Sequence, residues 1–185
     1  LQGAYLRIIP KRFVYLYPEE RILEVLNANP RIYNGSVVRS PRKSIHVTFD
    51  EYVPHALFCV YEQPTVPCYF ITERGYAFAE APQLDGGTFV RHMTERTDTV
   101  LPGTVISEEA LEAIDTFITR AESERALRIA AVLHRDTGDI EFFINGGGRI
   151  LVSGKKSLSA AFDNLTSVLT SEEFAHIEPG NFQYV

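Results

Sequence analysis

The stretch YPEERILEVLNANP, residues 17–30, contains the signals that open and close a short helix. Pro18 suits the first helical position, because its missing N–H would have no helical partner there. The carboxylates of Glu19 and Glu20 favour the positive end of the helix macrodipole. Pro30 prevents continuation of the helix. The stretch therefore predicts one short helix with defined ends.

Apolar side chains in this helix recur every three to four residues. Ile22, Val25 and Leu26 predict a narrow apolar stripe, which needs a sheet to cover it. The following segment supplies that sheet. Residues 37–39 predict a strand, residues 40–43 its turn, and the alternation of Ile45, Val47 and Phe49 with polar residues predicts a half-buried return strand. The first part of the chain is thus predicted to be a helix packed on a hairpin.

The helix, its Asn-Pro turn and the segment VVRSPRKSIHVTFDEYVPHAL (residues 37–57) resemble the POTRA domain of the bacterial cell-division proteins FtsQ and DivIB. In that family the line V.R..P..L.I.V.E..P.A forms the second half of the domain. The matching positions are Val38, Arg39, Pro41, Ile45, Val47, Glu51, Pro54 and Ala56.

The resemblance extends downstream. CYFITERGYAF, residues 68–78, is similar to a hairpin of the same family, although Thr72 stands where the family usually has Asp. The closing residues Phe182, Gln183, Tyr184 and Val185 resemble the beginning of the family's yVDlR strand. The resemblance implies that the family's first strand and helix would precede Leu1 and that more of the last strand would follow Val185.

These patterns predict an α+β fold with two domains. Residues 1–54 are expected to form a POTRA-like domain, incomplete at its N-terminus, with a helix packed on a small sheet. Residues 55–185 are expected to form an FtsQ/DivIB-type domain, incomplete at its C-terminus, that is antiparallel, rich in β-structure and flanked by two helices.

Strand and turn signals dominate the second domain. Residues 58–61 and 68–72 predict one hairpin, Arg74-Gly75 a turn, and residues 76–78 the next strand. Residues 81–103 are rich in Pro and Gly and include a polar run from Arg91 to Thr99, so they predict irregular or weakly strand-forming structure.

Two helices and a meander are predicted after this segment. Ser107 caps a helix whose face formed by Leu111, Ile114, Phe117, Ile118 and Ala121 is expected to lie in the core. Three successive strands are predicted at residues 127–133, 140–144 and 149–152. A last helix begins at Ser157, and a terminal strand is predicted from Phe182.

Composition narrows the function classes. The 185 residues are 45% hydrophobic and 23% charged, which suits a folded chain. A net charge of −6 argues against a nucleic-acid partner, although residues 1–46 have a net charge of +5. That excess suits either a solvated face or a position near anionic lipid. Neither a long apolar run nor a leader pattern is present in these residues.

Cys59 and Cys68 enclose eight residues, two of them prolines, which favour a tight reversal between strands. The pair is a disulfide candidate if the chain lies outside the cytoplasm, and the alternative is two buried thiols. A zinc site is disfavoured, because the two-to-four-residue spacing of zinc ligands and a second cysteine pair are both missing.

Known enzyme motifs are absent from this sequence or incomplete in it. The segment from Gly148 to Ser157 superficially resembles a phosphate loop, but five residues separate its glycines and its apolar middle predicts a strand. Glu108 and Glu109 are adjacent on a helix, so stabilisation of the helix dipole is the better explanation for them. The five histidines show no HExxH or other metal-binding spacing. No catalytic residue, metal ligand or cofactor is predicted.

The resemblance implies a non-catalytic scaffold on the extracytoplasmic side of the bacterial cell membrane, with a single-pass anchor upstream of this chain. Its expected partners are division proteins of the FtsB, FtsL or DivIC type, with no nucleic acid and no small-molecule substrate. Binding would occur by strand addition at a sheet edge, either at Phe182, Gln183, Tyr184 and Val185 or at the POTRA hairpin with Val37, Val38, Ile45 and Val47. Alternatives are a POTRA-containing component of polypeptide transport or outer-membrane assembly, and an extracytoplasmic hydrolase.

Overall fold

The computed structural model has the predicted α+β fold. It describes residues 4–5, 9–10, 18–40, 44–84, 87–172 and 174. The chain divides into two compact units, Leu1–Val53 and Pro54–Val185, which we call unit 1 and unit 2. The predicted terminal strand from Phe182 lies outside the described residues. Within the described part of the chain, no helix is both long and apolar enough to cross a lipid bilayer.

The described part of unit 1 contains one helix and two small antiparallel sheets. Strands β1 (Ala4–Tyr5) and β2 (Ile9–Pro10) pair with each other. After helix α1 (Glu19–Asn27), strands β3 (Ile32–Ser40) and β4 (Ser44–Glu51) form the predicted hairpin. The predicted strand 37–39 is therefore the second half of a longer one.

Helix α1 differs from the prediction in two details. Pro18 is the N-cap residue, one position before the first turn. Val25 was predicted to belong to the buried stripe, and this prediction is wrong, because its side chain is 67% exposed. Leu26 lies over Gly35 of β3, where an added Cβ would be 3.4 Å from Leu26 Cδ1. Ile22, Leu23 and Leu26 are half-buried, and Leu26 provides a contact with β3.

Unit 2 is built on one eight-stranded sheet with the order β12-β11-β10-β8-β5-β6-β7-β9. The strands are β5 (Ala56–Val60), β6 (Tyr69–Ile71), β7 (Tyr76–Glu80), β8 (Arg91–Thr94), β9 (Gly103–Thr104), β10 (Ile129–His134), β11 (Ile140–Ile144) and β12 (Arg149–Val152). The hairpin β5–β6 and the meander β10–β11–β12 confirm the predicted strands and their antiparallel pairing.

Strand β8 differs from two predictions. The polar run from Arg91 to Thr99 was expected to be irregular or only weakly strand-forming, whereas Arg91–Thr94 is a strand in the middle of the sheet. The domain was also expected to be antiparallel, whereas β8 pairs in parallel with β5 and β10. Two of its polar side chains are buried with hydrogen-bond partners: His92 meets His134 of β10 in a tertiary contact, and Thr94 accepts a local hydrogen bond from the Arg96 N–H.

Helices α2 (Glu108–Arg125) and α3 (Leu158–Leu169) contribute to the core of unit 2. Both begin as predicted, because the hydroxyls of Ser107 and Ser157 accept hydrogen bonds from backbone N–H groups three residues later. The core role of α2 is confirmed. The ring of Phe117 stacks on Phe142 of β11 at 4.3 Å and meets Phe162 of α3 edge-on at 5.4 Å.

Candidate partner-binding surface

The predicted hairpin edge is formed by β3 and β4. The two strands pair with each other in a two-stranded sheet, so each has a second edge with no strand beside it among the described residues. An open edge presents a row of backbone N–H and C=O groups that an extended segment can satisfy. The hairpin therefore has the basic geometry required for strand addition.

The four predicted edge residues are not equivalent. Val37 is buried, Ile45 is half-buried, and Val38 and Val47 are 60% and 41% exposed. Val37 and Val47 lie opposite each other in the register, so they share one face of the hairpin. Phe49 lies two residues beyond Val47 on that face and is 44% exposed. Exposed apolar side chains therefore occur on both strands.

The two strands differ in regularity. The register of β3 shifts between Tyr33 and Ser36, and Asn34 has φ 51° at that point. The Asn34 side chain donates a hydrogen bond to Asp50 at 3.3 Å, and the hydroxyls of Ser36 and Thr48 share another at 2.6 Å. A bulge of this kind twists a strand and interrupts its edge. The regular part of β3 is consequently its C-terminal half, which contains Val38.

The other predicted partner residues, Phe182, Gln183, Tyr184 and Val185, lie outside the described residues. The structure joins the two cysteines by a disulfide, with Cys59 in β5 and Cys68 directly before β6. The bond ties together the first two strands of unit 2. Glu62, in the turn between them, has φ 56°.

A buried histidine pair was missed by sequence reasoning. Nδ1 of His92 lies 3.1 Å from Nε2 of His134, so one ring donates a hydrogen bond and the other accepts it. Burial, followed by the charges of His134 and His55, lowers the pKa of His92 to about 3. Burial lowers the pKa of His134 to about 4. His92 was assigned to a segment predicted as irregular or only weakly strand-forming, and only a definite strand prediction there could have revealed the pair.

A buried carboxylate was also missed. Glu141 of β11 is 1% exposed, and its side chain forms ion pairs with Arg135 and with Arg149, the latter at 3.3 Å. Arg135 also contacts Glu95 at 3.0 Å. Two guanidinium groups around one carboxylate offset the cost of burying it. The run Ile140–Ile144 between two turn signals predicted a strand there, but no local pattern predicted that Glu141 would be enclosed.

An open cleft of about 600 Å³ lies beside α2. It is lined by polar and charged residues that include His55, Glu73, Glu108, Glu112, Asp115 and Arg120. Nε2 of His55 is 2.8 Å from Asp115, and Glu108 is 3.6 Å from Arg74, so part of this charge is already paired. Among the described residues, no group of three His, Cys, Asp or Glu side chains has the geometry to hold a metal ion.

The glycine-rich segment that superficially resembles a phosphate loop is occupied by β12. Residues Arg149–Val152 pair with β11, which uses backbone groups that a phosphate cradle would need. Gly154 packs against the backbone of Gly138, where an added Cβ would lie 2.1 Å from the carbonyl oxygen. Any side chain at position 154 would collide with this carbonyl oxygen, so the glycine there has a structural explanation.

No protein-family model matches the chain, and no curated protein matches it.

Proposed function

We propose that this chain is the extracytoplasmic part of a bacterial division scaffold of the FtsQ/DivIB type. Its task would be to recruit FtsB/FtsL-type partners to the septum, and it would do so without catalysis. The observation that carries the proposal is the β3–β4 hairpin, whose open edges lie beside exposed apolar side chains. A partner segment in extended conformation would complete the hydrogen-bond ladder and cover those side chains.

The burial pattern of unit 1 supports this role. Val37 is the one buried residue among residues 18–40 and 44–53 of unit 1, and α1 has none. The side chains of Val38, Val47 and Phe49 remain in contact with water. Covering an apolar side chain stabilises a complex by roughly 25 cal/mol for each Å² removed from water. A hairpin with this surface gains more from an added strand than a hairpin whose apolar side chains are already buried.

The disulfide supports an extracytoplasmic location. Structural disulfides form and persist in oxidising compartments and are rare in the cytosol. Cys59 and Cys68 are placed for this bond by the turn between β5 and β6. Mass spectrometry of protein prepared under oxidising conditions, with and without reductant, tests the bond directly. Free-thiol masses in the oxidised sample would remove this support.

Binding to the extracytoplasmic segment of an FtsB-type or FtsL-type partner is the test of the proposal. Val38→Lys in β3 and Val47→Lys in β4 place a charge at each candidate edge, while Val100→Lys makes the same change at an 83% exposed position in unit 2. We expect the variant at the edge in use to weaken binding at least about tenfold, which corresponds to about 1.4 kcal/mol. Val100→Lys should bind as the unmodified chain does.

Two results would contradict the proposal. One is normal affinity in both hairpin variants, which would exclude the hairpin as the site. The other is failure of the unmodified chain to bind any division partner. Equal binding of unrelated unfolded polypeptides would instead favour the polypeptide-transport alternative, because such a component must accept many client sequences.

A further inference from the structure

Strand β8 lies between the two halves of the large sheet in unit 2, and we call it the seam. On one side lie β5, β6, β7 and β9, and on the other lie β10, β11 and β12. The described pairings within each half are antiparallel, and the halves are joined through the parallel pairings of β8 with β5 and β10. Any event that weakens β8 therefore acts on the connection between the two halves.

A histidine occupies the middle of this seam. His92 lies in register with Phe58 of β5 and Val132 of β10 and is fully buried. Its Nδ1 contacts His134, whereas its Nε2 is buried without a hydrogen-bond partner among the described residues. A neutral ring can donate one hydrogen bond to His134 and leave a lone pair on Nε2. A protonated ring would bury a second N–H donor without an acceptor.

Few charged or titratable groups surround His92. The nearest on β10 is His134, whose ring stacks on His92 with centroids 5.4 Å apart. The charge of His55, just before β5, also lowers the pKa of His92. The ring of His55 is itself paired with Asp115 of α2. No carboxylate is bonded to His92 or His134 among the described residues. A proton on His92 would therefore face another imidazole and apolar neighbours, with no counter-charge in contact.

We propose that the His92–His134 pair makes β8 an acid-sensitive seam, along which the two halves of the sheet separate at mildly acidic pH. The proposal does not depend on the proposed function. In the closed state β8 is paired with both β5 and β10. A protonated His92 would then have no acceptor for its second N–H, and burial disfavours a charge on His134, so both rings stay neutral. In the open state water solvates the rings and each can be protonated.

The direction of the pH dependence follows from the two states. The open state has ordinary histidines with a pKa near 6.5, whereas the pKa of His92 and of His134 in the closed state is about 3 and about 4. The open state thus binds more protons, and opening is favoured as the pH falls below 6.5. Between pH 7 and pH 5 the opening equilibrium should rise about 20-fold for one histidine and about 500-fold for both.

Hydrogen exchange read by NMR, corrected for intrinsic exchange rates, tests the seam. Between pH 7 and pH 5 we expect protection of the β8 amides to fall by at least about 20-fold, and by clearly more than protection of amides between β11 and β12. His92→Gln leaves His134 as the one titrating ring of the pair, so it should reduce the change at β8 by about 20-fold relative to the unmodified chain. His46→Gln replaces an exposed histidine in unit 1 and should leave the change at β8 intact.

A titration of the histidine ring signals in the unmodified chain provides an independent measurement if His92→Gln fails to fold. Both rings should remain neutral down to pH 5 in the folded protein. A titration of His92 near pH 6.5 in the folded state would overturn the proposal. So would an equal loss of protection in β8 and in the β11–β12 pair, which would indicate opening of the whole unit.

Discussion

Units 1 and 2 use their apolar residues in different ways. In unit 2, the rings of Phe117, Phe142 and Phe162 are almost completely buried between the sheet and two helices. In unit 1, Val37 is the one buried residue within residues 18–40 and 44–53, and Val25 and Val38 are mostly exposed. Unit 2 is thus stabilised by core packing of its own, whereas unit 1 depends more on backbone hydrogen bonds and on whatever covers its hairpin. This difference is why we place partner binding on unit 1.

Two side-chain truncations to alanine, one in each unit, test this difference most directly. Phe142→Ala removes a ring that stacks on Phe117, and we expect it to lower the free energy of unfolding of unit 2 by about 3–5 kcal/mol. Val47→Ala in the hairpin should cost at most about 0.5 kcal/mol, because its side chain is partly in water already. Urea unfolding, followed by NMR signals of each unit, measures both. Equal losses would contradict the comparison.

Removal of the disulfide should have the next largest effect, and it should be confined to unit 2. Replacing both Cys59 and Cys68 by Ser removes the covalent bond that closes a loop, whose two end residues are nine positions apart in the sequence. The entropy gained by the unfolded chain corresponds to a loss of about 3 kcal/mol. The urea midpoint of unit 2 should fall and that of unit 1 should not change. Reduction of the unmodified chain is the matched control, and a discrepancy between the two would point to an effect of the serines.

The helix caps distinguish the units on a smaller scale. Ser107 caps α2 through its side chain, whereas Pro18 provides no side-chain cap for α1. Ser107→Ala should therefore destabilise unit 2 by about 1 kcal/mol, and Pro18→Ser should stabilise unit 1 by up to about the same amount. Ser159→Ala, within the first turn of α3, is the control and should have little effect. Thermal or urea unfolding of each unit reads out all three.

Much of the fold could be predicted because its signals are local. The caps at Ser107 and Ser157 bond to N–H groups three residues away, so a short window contains both partners. The meander β10–β11–β12 consists of short, mostly apolar runs joined by turns rich in Gly, Asp and Asn, which indicate strands without reference to the rest of the chain.

The errors occurred where distant contacts override local preference. Arg91–Thr94 lies in a polar segment predicted as irregular or only weakly strand-forming, but it is a central strand in which His92 pairs with His134, 42 residues away. Val25 fits the period of the buried stripe, but α1 meets β3 along a narrower line that excludes it. The candidate hairpin was predicted as a pair of strands, whereas the exposure of each valine in it depended on how α1 covers the sheet.

The amino-acid sequence by itself determined the helices, their caps, most strands and the positions of the turns. These features depend on hydrogen bonds and side-chain periodicity within a few residues. Only the tertiary structure decided that β8 is inserted in parallel between β5 and β10, that Glu141 is enclosed by two arginines, and that His92 meets His134 across 42 residues of sequence. The physical reason is that burial and polar pairing at these positions depend on residues far apart in the chain, and no short window contains both partners.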